Sequence, residues 1–175
     1  HCPSLGVQLS LCVNGRSASP WSKGGIAHGD VLLLSRPLGT GVLFAAAMAD
    51  ACPPEALDTV LQQMASSQHR LLDQLEPHRR AIHACTDVTG FGLLGHLGEM
   101  LASSAPLRIT LRTHSIPAYP EALDRLAQGH ASSLAPANRG SWRWLDGPIQ
   151  LDEEPSQALL ELLVDPQTCG PLLLA

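Results

Sequence analysis

The chain has 175 residues, 45% of them hydrophobic, and a formal net charge of -5. That length supports one ordinary domain with a real core, and a single lysine, Lys23, excludes the clustered cations a nucleic-acid partner requires. No stretch approaches the ~20 apolar residues of a membrane span, and no basic region followed by an apolar run opens the chain, so a cytoplasmic protein without a membrane partner is expected.

Residues 7–13, "VQLSLCV", alternate with period two and predict a strand that Asn14-Gly15 ends. A polar, glycine-containing connection follows. "VLLLS", residues 31–35, is too short for a helix and is flanked by Gly29-Asp30 and Pro37, which predicts a buried strand. Residues 39–50 are alanine-rich and predict a helix stopping before Pro53-Pro54. One long helix is expected next, because Leu57, Val60, Leu61, Met64, Leu71, Leu72 and Leu75 recur at helical spacing until Pro77.

A second round repeats the order. "AIHAC" (81–85) reads as a strand, "TDVTGFG" (86–92) as a turn and "LLGHLGEMLASS" (93–104) as a helix. "LRITLRT" (107–113) alternates as a strand does, and residues 119–129 predict a short helix opened by Pro120 and closed by Gly129. Residues 129–148 read as a long polar loop, a length that usually signals function or mobility. A last helix over 155–165 precedes "PQTCG" and a final strand in "PLLLA". The alternation implies an α/β (α+β) fold, a layered mixed sheet with helices packed on it, with strand direction left open.

Two segments share a design: a strand, a Thr-Gly turn and an apolar helix. A glycine turn at a helix N-terminus lets phosphate oxygens approach free backbone N–H groups. Gly39, Thr40 and Gly41 fit that role in the first segment, and Thr86, Thr89, Gly90 and Gly92 in the second; helix capping and close backbone packing fit the same residues. Asp87 stands where a hard cation bridging phosphates would take an oxygen ligand, or where a turn would use a capping aspartate. Asn138 and Arg139 could reach an anion from the long loop, and Asp165 fits a turn before Pro166 better than a ligand role. Cys85 closes an apolar strand and reads as buried and inert rather than as a nucleophile. The five cysteines are scattered without a C-x-x-C pair and the eight histidines are dispersed, which is neither a disulfide framework nor a zinc pattern. No phosphate-binding G-x-x-x-x-G-K-[ST] and no G-x-S-x-G elbow is present, so no complete ATPase or hydrolase is expected.

"SRPLGTGVLFAAAM", "ACTDVTGFGLLGHLGEM" and "LLVDPQTCGPLLLA" resemble, in order and spacing, three segments of selenophosphate synthetase (selenide, water dikinase). "SSLAPANRGSWRWL" resembles its variable loop. The family belongs to the wider aminoimidazole ribonucleotide synthetase-like group. The resemblance implies a two-domain enzyme that makes selenophosphate from selenide, ATP and water with Mg²⁺, as a homodimer when full-length. It also implies that the catalytic Cys or Sec, the essential Lys and most metal-binding aspartates lie in an N-terminal domain whose segments are missing here. Residues 1–16 then correspond to that domain's terminal strand, 17–28 to a linker, and 29–175 to a C-terminal domain truncated at its end. Asp87 is the metal ligand the resemblance carries over, and no catalytic residue and no tightly bound cofactor is expected on this stretch alone. ATP and selenide would be reached through the N-terminal domain. Cys169-Gly170-Pro171 departs from the family's usual Ser-Gly-Gly, which puts any backbone N–H donation at position 171 in doubt. A non-catalytic binding module of a fusion protein and a related ATP-using enzyme of the same fold are the alternatives.

Overall fold

The computed structural model describes residues 12–17 and 19–175. The strand expected over 7–13 lies mostly outside the described residues; Cys12 and Val13 are exposed and in no regular element. Between residues 19 and 28 there is no helix or strand, yet the segment is docked. Ser104 Oγ accepts from the amides of Gly25 (3.0 Å) and Ile26 (3.1 Å), and Lys23 Nζ pairs with Glu99 Oε2 at 2.8 Å.

Among the described residues seven α-helices pack around two small sheets. In the first sheet β5 (Leu172–Leu174) lies between β1 (Leu33–Leu34) and β2 (Cys85–Asp87), antiparallel to both. The second sheet pairs β3 (Ile109–Leu111) with β4 (Ile149–Leu151) in parallel. The helices are α1 (Thr40–Met48), α2 (Pro54–Ala65), α3 (His69–Leu75), α4 (Gly92–Ala102), α5 (Ala122–Ala127), α6 (Ala135–Asn138) and α7 (Gln157–Val164). The core runs through Val42 and Leu43 of α1, Leu94, Leu97 and Met100 of α4, and Leu162 and Leu163 of α7, all fully buried. Each such side chain contributes roughly 1.5–3 kcal/mol by leaving water.

The mixed α/β class agrees with expectation, and three local expectations change. The single long helix breaks into α2 and α3, because Ser66 turns to an extended conformation (φ -85°, ψ 123°). Its hydroxyl bonds back to Gln62 O, its carbonyl is taken by Arg36, and Ser67 Oγ accepts the His69 amide, so two serines offer the backbone partners other than the helix. As expected, the α-helix ends ahead of Pro77, at Leu75; Pro77 then opens a 3₁₀ turn over Glu76–Ala81, where its missing N–H costs nothing. The strand expected at 81–85 starts four residues later, because Ala81 still belongs to that turn; Asp87 is thus strand, not turn. The segment 129–148 is not one open loop. It holds α6 and a 3₁₀ turn over Arg139–Trp144, pinned where Trp142 Nε1 donates to Leu160 O (3.2 Å) and where Trp144 fills the space above Gly98. A methyl on Gly98 would lie 2.2 Å from the Trp144 indole nitrogen, so only glycine admits that contact. The strand β4 just after it was not expected.

Candidate functional site at two glycine turns

Asp87 ends β2 opposite Leu172 of β5. Strand alternation turns Thr86 inward, where it is 7% exposed, and Asp87 outward. Among the described residues the Asp87 carboxylate accepts no hydrogen bond and joins no ion pair. The backbone just past it, by contrast, is held from several sides. Val88 is fully buried and its amide donates to Pro171 O at 2.8 Å. The Thr89 amide donates to His96 Nε2 (3.0 Å), and Thr89 O accepts from the amides of Gly92 (3.1 Å) and Gln167 (2.9 Å). Gly90 O accepts from Asn138 Nδ2 at 2.7 Å. Gly92, at φ 69°, opens α4 so close to α7 that a methyl would stand 2.7 Å from the Val164 carbonyl carbon.

Beside this carboxylate, among the described residues, the amides of Gly90 and Phe91 donate to no acceptor, and a methyl on Gly90 would meet nothing within 4 Å. The turn therefore offers an exposed carboxylate and two open N–H groups at the start of an 11-residue helix. A phosphate at those amides would repel Asp87 unless a cation stood between them. Mg²⁺ suits that place, since it takes one or two carboxylates together with phosphate oxygens and waters. No group of three or more His, Cys, Asp or Glu able to hold a metal occurs among the described residues, so at this turn they offer a single carboxylate, that of Asp87.

The first glycine turn is built differently. Gly39 (φ 115°) precedes α1, and its amide and that of Thr40 both donate to Gln167 Oε1, at 3.0 and 3.2 Å. Thr40, 1% exposed, bonds the same oxygen through its hydroxyl (3.2 Å) and accepts the Thr168 amide (2.8 Å). Gly41 lets Pro166 and Asp165 in: a methyl there would stand 2.3 Å from Pro166 O and 2.6 Å from Asp165 Oδ1. A phosphate reaching these amides would have to displace Gln167, which the sequence did not flag.

Asp165 is a turn residue before Pro166, as expected, but it is fully buried. Gln167 Nε2 donates to its Oδ2 at 2.9 Å, while Oδ1 makes no hydrogen bond of good geometry despite facing the amides of Gly41 and Val42. Burial pushes its carboxyl up to about 7 against the pull of those amides and Gln167.

Asn138 and Arg139 do not reach toward open space. Asn138 Nδ2 bridges Gly90 O and Val164 O (2.7 and 3.0 Å), tying α6 to the second turn, and Arg139 Nε forks onto Glu161 at 3.0 and 3.2 Å. Burial, then the neighbouring Asp87, raises the Cys85 thiol, which keeps it protonated and a poor nucleophile. Proline at 171 is accommodated, because it precedes β5 and the described ladder uses only its carbonyl. His96, whose i+3 neighbour Glu99 was visible in the sequence, is the other residue the sequence did not single out. An apolar groove of about 810 Å³ lies between β1 and β3, and none of the candidate residues lines it.

Residues 27–138 match the family described as AIR synthase related protein, C-terminal domain. Similar curated proteins are the selenide, water dikinase of Treponema denticola, 39% identical over 148 residues (85% of this chain, 40% of the relative), and that of Desulfitobacterium hafniense, 32% identical over 177 residues (99% and 48%). The selenide, water dikinase of Pelobacter propionicus is 34% identical over 154 residues, covering 88% of this chain and 42% of the relative. The chain spans less than half the length of these relatives.

Proposed function

Since the chain belongs to the family of AIR synthase related protein C-terminal domains, we propose that it is the C-terminal part of a selenide, water dikinase. The full-length enzyme makes selenophosphate from selenide, ATP and water in the cytoplasm, as a homodimer. Residues 1–16 end the N-terminal domain, residues 17–28 link it to the domain of residues 29–175, and the reacting groups come from the N-terminal side.

Asp87 carries the reading: a carboxylate that has no hydrogen-bond or ion-pair partner among the described residues, at the end of a strand whose following backbone is pinned by Pro171, His96, Gln167 and Asn138. A side chain held this way needs little reorganisation to meet a cation. Bound Mg²⁺ would neutralise charge on the phosphates of ATP. Asp87 would hold it, and the amides of Gly90 and Phe91 would receive phosphate oxygens beside it. Gly92 lets α4 start close against the end of α7, and Thr86 anchors the strand end in the core. Gly39, Thr40 and Gly41 act by seating α1 on residues 165–168, behind the second turn.

In the full-length protein Asp87→Asn lowers apparent Mg²⁺ affinity by at least about 10-fold in selenide-dependent ATP consumption. Its melting temperature stays that of the parent, because among the described residues the Asp87 side chain makes no hydrogen bond or ion pair. Unchanged Mg²⁺ dependence would return Asp87 to a surface role and remove the reading's main support.

A further inference from the structure

His96 lies one turn into α4 and is 5% exposed, a position that an apolar residue would fill at lower cost. Its ring has a defined orientation. A backbone amide can only donate, so the Thr89 N–H at 3.0 Å fixes Nε2 as the acceptor and places the ring proton on Nδ1. Glu99 Oε2 stands 3.5 Å from Nδ1, beyond good hydrogen-bond geometry but close enough to favour a proton there, and Lys23 holds Glu99 in place at 2.8 Å. The Thr89 hydroxyl is 3.2 Å from the same Nε2, and the Phe91 ring lies against the imidazole with centroids 5.6 Å apart. Burial keeps the ring neutral, which preserves the Nε2 lone pair.

We propose that His96 is a positioning residue for the Asp87 half-site: by accepting the Thr89 amide it fixes the turn between the carboxylate and the start of α4. This rests on Asp87 being a cation ligand. Without the imidazole the Thr89 amide loses its acceptor. The segment Asp87–Phe91 then keeps its anchors at Val88, at the Thr89 carbonyl and at Gly90, but not the one that sets the Thr89 peptide plane. The segment before the domain takes part through Lys23, which pairs with Glu99 of α4, the carboxylate 3.5 Å from the protonated Nδ1.

The test uses the full-length protein with Mn²⁺ as the probe, its affinity read by the electron paramagnetic resonance of free ion, alongside thermal melting. Asp87→Asn serves as the reference. His96→Leu, which fills the volume without an acceptor, weakens Mn²⁺ binding about 10-fold. His96→Gln, whose amide oxygen can meet the Thr89 N–H, restores most of it. If Asp87→Asn weakens Mn²⁺ binding and a folded His96→Leu does not, or if His96→Gln falls as far as His96→Leu, the positioning role is wrong while the metal reading stands. If Asp87→Asn has no effect, both fall. Should His96→Leu fail to fold, the imidazole ¹⁵N spectrum of the parent decides: an Nδ1–H tautomer with a hydrogen-bonded Nε2 is expected, and an Nε2–H tautomer overturns the proposal.

Discussion

At the start of α1 the first two amides, those of Gly39 and Thr40, converge on one buried oxygen of Gln167; at the start of α4, among the described residues, the amides of Gly90 and Phe91 have no acceptor, and the neighbouring carboxylate is exposed. Both turns come from the same strand, Thr-Gly and helix pattern, and the segment after α7 serves both. Gln167 closes the first turn with its side chain and braces the second with its backbone amide, which donates to Thr89 O. Equal local chemistry thus yields a buried joint in one place and an open rim in the other. What separates them is whether a distant segment covers the helix start. A glycine turn before a helix is therefore a site only where nothing from the rest of the chain has filled it.

The largest expected effect lies on the closed side, at Asp165. Its folded-state carboxyl titrates at about 7 against an ordinary value of 3.8, chiefly because it is buried. The folded protein therefore binds this proton more tightly than the unfolded chain. Stability from the neutral acid is complete below pH 3.8 and is lost as pH rises through about 7, by up to about 4 kcal/mol. Asp165→Asn, neutral throughout, should lack this loss, so urea unfolding at pH 5 and pH 8 should show the variant gaining on the parent as pH rises. Using the difference between the two proteins cancels His96, whose burial lowers its affinity for a proton and gives the opposite slope. A parent and variant with parallel pH profiles would mean that Asp165 is ionised in the fold at both pH values.

Next in size is Gly41→Ala. The added methyl would press on Pro166 O and Asp165 Oδ1, and the first of these is backbone that cannot swing away. Overpacking of this kind costs about 1–3 kcal/mol, so the melting temperature should fall by several degrees. A Gly41→Ala protein as stable as the parent would show that the α1 turn is not closed as described.

The sequence revealed these two turns and the helices behind them, because apolar runs and glycines are local signals. It misled wherever a long-range partner decides. Leu57 to Leu75 keep helical spacing across Ser66, and nothing nearby announces that Arg36 takes the Ser66 carbonyl and that the helix breaks there. β4 is three residues long and exists by pairing with β3, some forty positions earlier, so "IQL" alone carried too little pattern. Asp165 before Pro166 reads as a turn residue, and its burial, which the local sequence does not announce, comes from α1 folding over it. Asp87 was legible because it sits in a distinctive run, while the pinning of its turn by His96, Gln167 and Asn138 belongs to the tertiary structure.

The smallest expected effect on stability, and the one that sharpens the contrast most, is Gly90→Ala. Its backbone is not in the left-handed region and a methyl there touches nothing within 4 Å, so the melting temperature should move by no more than about 0.5 kcal/mol would produce. The same methyl would project into open space at the turn that carries the Gly90 and Phe91 amides. If those amides receive phosphate oxygens, the KM for ATP in the full-length protein should rise by a factor of a few while the fold is untouched. An unchanged KM in a stable Gly90→Ala protein would mean that the rim is open without being used, and that the nucleotide lies wholly on the N-terminal side. Paired with Gly41→Ala, the substitution thus separates a glycine kept for packing from one kept for access.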